Sequence, residues 1–290
     1  MTARLIESLP EDLYHADDVG EDTPTASSSI LRTLLAKTPL HAKGEHPKLT
    51  DTPTSKQSTP MDIGTAVHAA LLQGKDVVVP LDHTDFRTKA ARDERDAARN
   101  YGMIPMKRAD YDRTLEIVDA VNAQIGSFAD TPPLLVDGKA EQTIVYADRG
   151  VLCRVRIDHL RNDFTVFEDI KTEGRSANPL DWERKTMFER LYHVQAAMYR
   201  RGVEALTGTK PEARFIVVES VAPHAVAVFS PSERAYELAD EQLDYALDTW
   251  AKCLSTGHWP GYAQRTHYIS PPAYVESAWL EYQYLEEAAA

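Results

Sequence analysis

The chain has 290 residues, with 32 Lys+Arg against 45 Asp+Glu for a formal charge of −13, and 43% of its residues are hydrophobic. That balance excludes a wholly disordered chain, and it excludes a protein that coats nucleic acid through an overall positive field. Cys153 and Cys253 are too few for a disulfide framework or a four-cysteine metal centre, and no membrane-length apolar run or signal-peptide layout is visible, so a cytoplasmic protein without a membrane partner is expected.

Ser27-Ser28-Ser29 directly precedes Ile30-Leu31-Arg32-Thr33-Leu34-Leu35. Hydroxyls there can accept from the orphan N–H groups of a first turn, so a helix is predicted that stops at Thr38-Pro39. Residues 44–60 hold four prolines or glycines among polar residues and read as a long loop. A second helix is expected from Asp62, carrying His68 among small apolar residues and ending at Gly74. Residues 85–101 and 107–126 also have helical spacing.

From about residue 140 the period changes to alternation. Strands are expected over Thr143–Tyr146, Val151–Leu160 and Phe164–Lys171, turning at Asp148-Arg149-Gly150 and Arg161-Asn162-Asp163. A long helical tract follows from Pro179 to Leu206, then strands at 215–218 and 225–229 and a helix over 232–255. The order predicts an α/β fold with a mixed central sheet, an antiparallel meander plus further strands, flanked by helices. The domain layout expected is an N-terminal extension and loop (1–61), a core domain (62–260) and a C-terminal tail (261–290).

Alternation places Arg154, Arg156 and Asp158 on one face of their strand and Asp169 with Lys171 on one face of the next. A hairpin then brings two carboxylates and an ammonium to one rim. That trio suits metal-assisted phosphodiester hydrolysis: hard Mg²⁺ takes carboxylate oxygens, here Asp158 and Asp169 with the Ile170 carbonyl, and Lys171 orients the attacking water. A solvated hairpin end with a surface ion pair fits the same residues. Tyr192, Gln195 and Tyr199 form one helical stripe, which by spacing alone reads as a half-buried tyrosine face. His68 alone reads as a packed core histidine and Glu141 as a surface charge.

Taken in order, Gly64-Thr65-Ala66-Val67-His68, Glu141, Arg154-Val155-Arg156-Ile157-Asp158, Asp169-Ile170-Lys171-Thr172 and Gln195-x-x-x-Tyr199 resemble the PD-(D/E)XK nuclease superfamily. More narrowly they are similar to its exonuclease VIII (RecE-type) branch of phage and prophage recombination exonucleases. Tyr14-His15 and the serines before Ile30-Leu31 resemble the opening of that branch. The resemblance implies a restriction-endonuclease-like fold, with His68, Asp158, Asp169 and the Ile170 carbonyl as metal ligands and Lys171 as the catalytic lysine. It implies an acidic catalytic position at Glu141, and Gln195 and Tyr199 as support for the site and the DNA backbone. Tyr192, on their helical stripe, and Arg154 and Arg156, on the strand face of Asp158, are expected beside them as DNA-binding or supporting residues.

It further implies Mg²⁺, with Mn²⁺ as substitute, and digestion of linear double-stranded DNA from 5′ to 3′ at its ends. The products are 3′ single strands for recombination, the assembly a ring-like homo-oligomer, and the partner a single-strand-annealing protein of the RecT type. An endonuclease or flap nuclease on the same fold, or a non-catalytic DNA-end-binding protein, are the alternatives. The charge distribution is consistent with a DNA substrate: residues 151–201 and 84–113 each carry a net +2, so the acidity lies elsewhere.

Overall fold

The computed structural model describes residues 3–50, 63–128, 130–131, 133–174 and 176–289. The expected loop over 44–60 falls partly outside these residues, as does Asp62. The chain divides into two units, Met1–Pro260 and Gly261–Ala290.

In the first unit the N-terminal segment gives β1 (Arg4–Ile6), α1 (Glu11–His15), β2 (Ala26–Ser27), α2 (Ser28–Ala36) and α3 (Pro39–Glu45). Next come α4 (Ile63–Gln73), β3 (Val78–Leu81), α5 (Lys89–Asn100), β4 (Ile104–Lys107) and α6 (Arg108–Gln124). The meander is β5 (Gly138–Asp148), β6 (Val151–Arg161) and β7 (Val166–Glu173). Two short helical turns, α7 (Pro179–Asp181) and α8 (Met187–Glu189), then precede α9 (Tyr192–Thr207), β8 (Glu212–Glu219), β9 (Val226–Phe229) and α10 (Glu233–Thr256).

The main sheet runs β1-β5-β6-β7-β8-β9, with β2 added in parallel to β6. β5, β6 and β7 pair antiparallel, whereas β7 and β8 pair in parallel, so the sheet is mixed as expected. Arg149 and Gly150, both at positive φ, make the two-residue turn between Asp148 and Val151, the conformation that matches the twist of a tight hairpin. A small parallel pair, β3-β4, was not expected. Neither strand exceeds four residues, too short for alternation to register.

Alternate residues of β8 assign the layers. Val217 joins the core formed with α2, α9 and α10, while Val218 joins the second core, formed with α4 and α6, so helices cover both faces. α10 is fixed at both ends: Ser232 Oγ accepts from the Ala235 N–H, and Gly257 closes it in the left-handed conformation. Its Ala239, Leu243, Leu247 and Trp250 are fully buried, each of the larger three contributing about 1.5–3 kcal/mol of hydrophobic stabilisation. The N-terminal residues, expected as an extension, instead supply two strands of the main sheet and a helix of its core.

The second unit, expected as a tail, contains α11 (Ala273–Ala289), along which Trp279 stacks on Tyr282 at 5.6 Å. Among the described residues no helix is long and apolar enough to cross a membrane.

Candidate active site

The site begins where a strand ladder stops. β6 and β7 pair only at His159↔Glu168 and Leu160↔Phe167. One residue further on, at Asp158 and Asp169, the ladder ends, and Asp158 Oδ2 accepts the Ile170 N–H at 2.9 Å instead. β7 stays straight because β8 pairs with it in parallel as far as Glu173. The two carboxylates expected to converge therefore stand at the mouth of a split between strands.

Small residues bring the flanking helices close. Ala66, Ala69 and Ala70 bury one side of α4, and His68 reaches Asp158 Oδ2 with Nε2 at 2.9 Å, with Nδ1 3.6 Å from Glu141. On α9, a Cβ at Gly202 would lie 3.1 Å from both Tyr146 and Val155, so glycine lets that helix approach the sheet. Nearer the start of α9, Gln195 Nε2 donates to Asp169 Oδ1 at 2.5 Å, and the buried Tyr199 ring packs on Phe167 at 5.7 Å. Lys171 pairs with Asp169 Oδ2, and its ammonium sits 5.0 Å from the Tyr192 ring, a cation–π contact.

Glu141 reaches the site through a backbone irregularity. Its φ of 56° lies in the left-handed region, and the β5–β6 pairing skips it between Ala140↔His159 and Gln142↔Ile157. A non-glycine residue held there costs on the order of 1–3 kcal/mol, a cost typical of functional sites. Its carboxylate pairs with Arg156 and faces His68.

The protonation states follow from these contacts. Burial works against charge on His68, but Asp158, and then Glu141 and Asp169, outweigh it and raise its pKa to about 9. Burial raises Asp169 to about 6, with Asp158 adding repulsion that Lys171 only partly offsets. Asp158 is driven the other way: burial alone would raise it, yet His68, Lys171 and the Ile170 N–H together hold it low. Lys171 stays above its ordinary value because Asp169 and Asp158 overcome its desolvation. Burial lifts Glu141 despite Arg156 and His68 beside it.

Among the described residues no three His, Cys, Asp or Glu side chains stand in a ready-made metal geometry. The protein's own cations pair with the acids instead, His68 with Asp158 and Lys171 with Asp169. Even so, Asp169 Oδ2 is buried with only the Lys171 ammonium against it, and Gln195 Oε1 beside it is buried and accepts no hydrogen bond. Two buried carboxylates held by side-chain cations, next to an imidazole and an amide oxygen short of a donor, form an oxygen-rich donor set of the kind a divalent cation takes, so the residues present fit one.

The structure brings together Lys171, Asp158, Asp169, Glu141, His68, Gln195, Tyr199 and Tyr192. It corrects the expectation that Arg154 touches DNA. The Arg154 side chain is buried, and Nη1 donates to Asp17 at 2.7 Å and to the Thr25 carbonyl at 2.6 Å. Arg156 is likewise turned inward, bonded to Glu141 and to the Leu9 carbonyl at 2.6 Å, with Tyr14 over both guanidinium groups. Both are occupied by the N-terminal segment, whose approach from more than a hundred residues away no local pattern announces. Tyr199 and Gln195 are buried supports rather than surface contacts. Sequence reasoning noted Tyr14 only as part of the opening motif and gave it no place at the site.

Residues 27–272 match the family described as a PDDEXK-like domain of unknown function (DUF3799). The chain belongs to this PDDEXK-like family. Its fold is similar to the crystal structure of a "Putative exonuclease" from Eubacterium rectale, at a TM-score of 0.60 and 11% identity, covering 92% of this chain and 96% of that one. A second solved structure, SSO0001, aligns over 80% of this chain and 83% of its own at 11% identity and a TM-score of 0.30. No curated protein matches the chain in sequence. The match to a PDDEXK-like family agrees with the superfamily that the ordered motifs resemble, and the mixed sheet flanked by helices is the fold they imply.

Proposed function

We propose that this PDDEXK-like protein is a divalent-metal-dependent deoxyribonuclease that digests linear double-stranded DNA as an exonuclease, 5′ to 3′, leaving 3′ single strands for recombination. The observation that carries the reading is the split between β6 and β7, where Asp158 and Asp169 meet His68 from one helix and Gln195 from another, with Lys171 alongside. Asp158, Asp169 and His68, with the Ile170 carbonyl, are the residues to hold Mg²⁺, and Mn²⁺ as its substitute. When bound, the cation supplies positive charge to the scissile phosphate and acidifies water.

The chain's own residues do the rest. Gln195 fixes the rotation of the Asp169 carboxylate. Lys171 remains an ammonium at neutral pH, so it orients an attacking water and faces the charge developing on phosphate. Phe167 and Tyr199 close the floor of the site. The proposal includes a ring-like homo-oligomer and a RecT-type annealing partner, as the resemblance implies, and light scattering with and without DNA tests the first of these.

The activity test compares end-labelled linear duplex with covalently closed circles in Mg²⁺, with and without EDTA. Nucleotide release from linear DNA alone, abolished by EDTA and by Lys171→Ala, is expected. Cutting of closed circles would make the protein an endonuclease on the same fold. Binding without any cleavage would leave only DNA-end recognition.

A further inference from the structure

Beside the reaction centre, between α2 and the start of α9, lies an open groove of about 240 Å³. Ser29, Arg32, Thr33 and Lys37 line one wall and Glu189 and Arg190 the other, three cations against one anion. No motif in the sequence marked it.

Its geometry ties it to the centre. Leu191 has a φ of 53°, a left-handed break that ends the preceding helical turns and starts α9 in a new direction. The break sets Arg190 and Tyr192 on either side of it. Tyr192 is braced from beneath by Trp182, stacked at 5.6 Å and 15°. Arg32 lies over the same Tyr192 ring, 5.7 Å from its centroid, as Lys171 does at 5.0 Å. The ring is thus shared by the candidate catalytic lysine and the first cation of the groove. Arg32 also bears electrostatically on Tyr199, which in turn feels Asp158 and Asp169.

One of the groove's three cations, Arg32, is not neutralised within the fold. Arg32 donates to the Arg190 carbonyl at 3.1 Å, while its Nε is buried and finds no acceptor. No carboxylate pairs with Arg32 among the described residues. Lys37 and Arg190 each meet one acid, Glu45 at 3.4 Å and Glu173 at 3.5 Å, with about half of each basic side chain exposed. The Lys37–Glu45 pair is half-exposed on both sides, a weak kind of contact that leaves the ammonium open to another anion, whereas Glu173 is buried behind Arg190 and the exposed half of that arginine is what faces the groove. A planar guanidinium short of an acceptor, with a second arginine opposite, is suited to phosphate oxygens.

We propose that this groove is a phosphate subsite, in which Arg32 and Arg190 hold a phosphate of the DNA strand next to the one at Lys171. The proposal rests on the nuclease reading and adds to it a direction in which the strand leaves the centre. The phosphate can be an internal phosphodiester or the monoester of a strand end, and the two are distinguished by the substrate used.

The test is fluorescence anisotropy of the full chain on labelled linear duplexes bearing either 5′-phosphate or 5′-hydroxyl ends. Ca²⁺ replaces Mg²⁺ to hold back cleavage, and salt is varied. Arg190→Ala and Arg32→Ala are each expected to weaken binding roughly tenfold and to lower the slope of log affinity against log salt by about one, the loss of one phosphate contact. Arg234→Ala, which removes an exposed charge on α10, is expected to leave the slope at the wild-type value. Arg190 is exposed, so its variant reads the groove even where Arg32→Ala disturbs folding. Equal losses on both duplexes assign an internal phosphodiester, and a loss confined to the 5′-phosphate duplex assigns the strand end. Wild-type affinity and slope in both arginine variants overturn the subsite while leaving the nuclease reading intact. A wild-type protein that neither binds nor cuts linear DNA overturns that reading itself.

Discussion

Two charged clusters stand four residues apart on β6, around Arg154 and around Asp158, and they are neutralised in different ways. At Arg154 the charge is closed off. Asp17 takes the guanidinium and the Thr25 N–H and hydroxyl, His46 donates from Nε2 to the Thr25 carbonyl at 3.0 Å, and Lys48 stands 3.5 Å from Asp17. At Asp158 three acids, Asp158, Asp169 and Glu141, face His68, Lys171 and Arg156, one carboxyl is raised to about 6, and the Gln195 amide oxygen beside it goes without a donor. A buried ion pair held by a chain of hydrogen bonds is a structural clamp; carboxylates gathered about a protonatable imidazole, one of them with a raised pKa, are suited to exchange protons for a metal cation. The same strand face supplies both, and the N-terminal segment decides which end is closed.

The comparison can be broken from either side. The largest effect is expected at the open end: Asp169→Asn should lower the cleavage rate roughly 10³-fold with far-ultraviolet circular dichroism unchanged. At the closed end, Arg154→Ala should cost about 3–5 kcal/mol in urea unfolding, because it strands a buried Asp17. The rate per folded molecule should stay within a few-fold of wild type. The pair replacement Arg154→Met with Asp17→Asn should recover most of the lost stability. A rate collapse in Arg154→Ala at full stability would show that both clusters serve catalysis.

A smaller effect separates the clusters by metal. Mg²⁺ or Mn²⁺ at a hundredfold excess over Kd should raise the melting temperature by roughly 5–10 °C. The rise should persist in the Arg154→Met pair variant and vanish in Asp158→Asn. The smallest expected effect is on pH. His46 accepts the Lys48 N–H at Nδ1, so it is a neutral Nε2–H tautomer, and burial lowers its pKa from the ordinary 6.5. The unfolded chain then binds the proton more readily, so this contribution is fully present above pH 6.5 and is lost as pH falls below it. Between pH 6.5 and 5.5 the loss is at most about 1.4 kcal/mol. It should be absent in His46→Gln when the two are compared by chemical denaturation.

Much of the site was legible because its chemistry sits in short local runs: Asp169-Ile170-Lys171 within one strand, Gln195 and Tyr199 one helical turn apart, Asp158 within an alternating strand. Periodicity likewise placed the meander and α10. What stayed hidden depends on contacts distant in sequence or on conformations that carry no residue cue. Arg154 looked like a surface base because nothing near it reveals Asp17. Glu141 and Leu191 adopt left-handed conformations without glycine, so neither the kink that aims Glu141 nor the break that opens the Arg32 groove could be read. β1 and β2 have three and two residues, too few for any period.

The central claim is that the split between β6 and β7 is a divalent metal centre. Anomalous diffraction from crystals soaked in Mn²⁺ tests it most directly. The account predicts a peak between Asp158 and Asp169 with His68 as a ligand, absent in Asp169→Asn. A well-diffracting wild-type crystal with no peak there, or with manganese only at the exposed acids of α10 around Asp240 and Asp244, would contradict it.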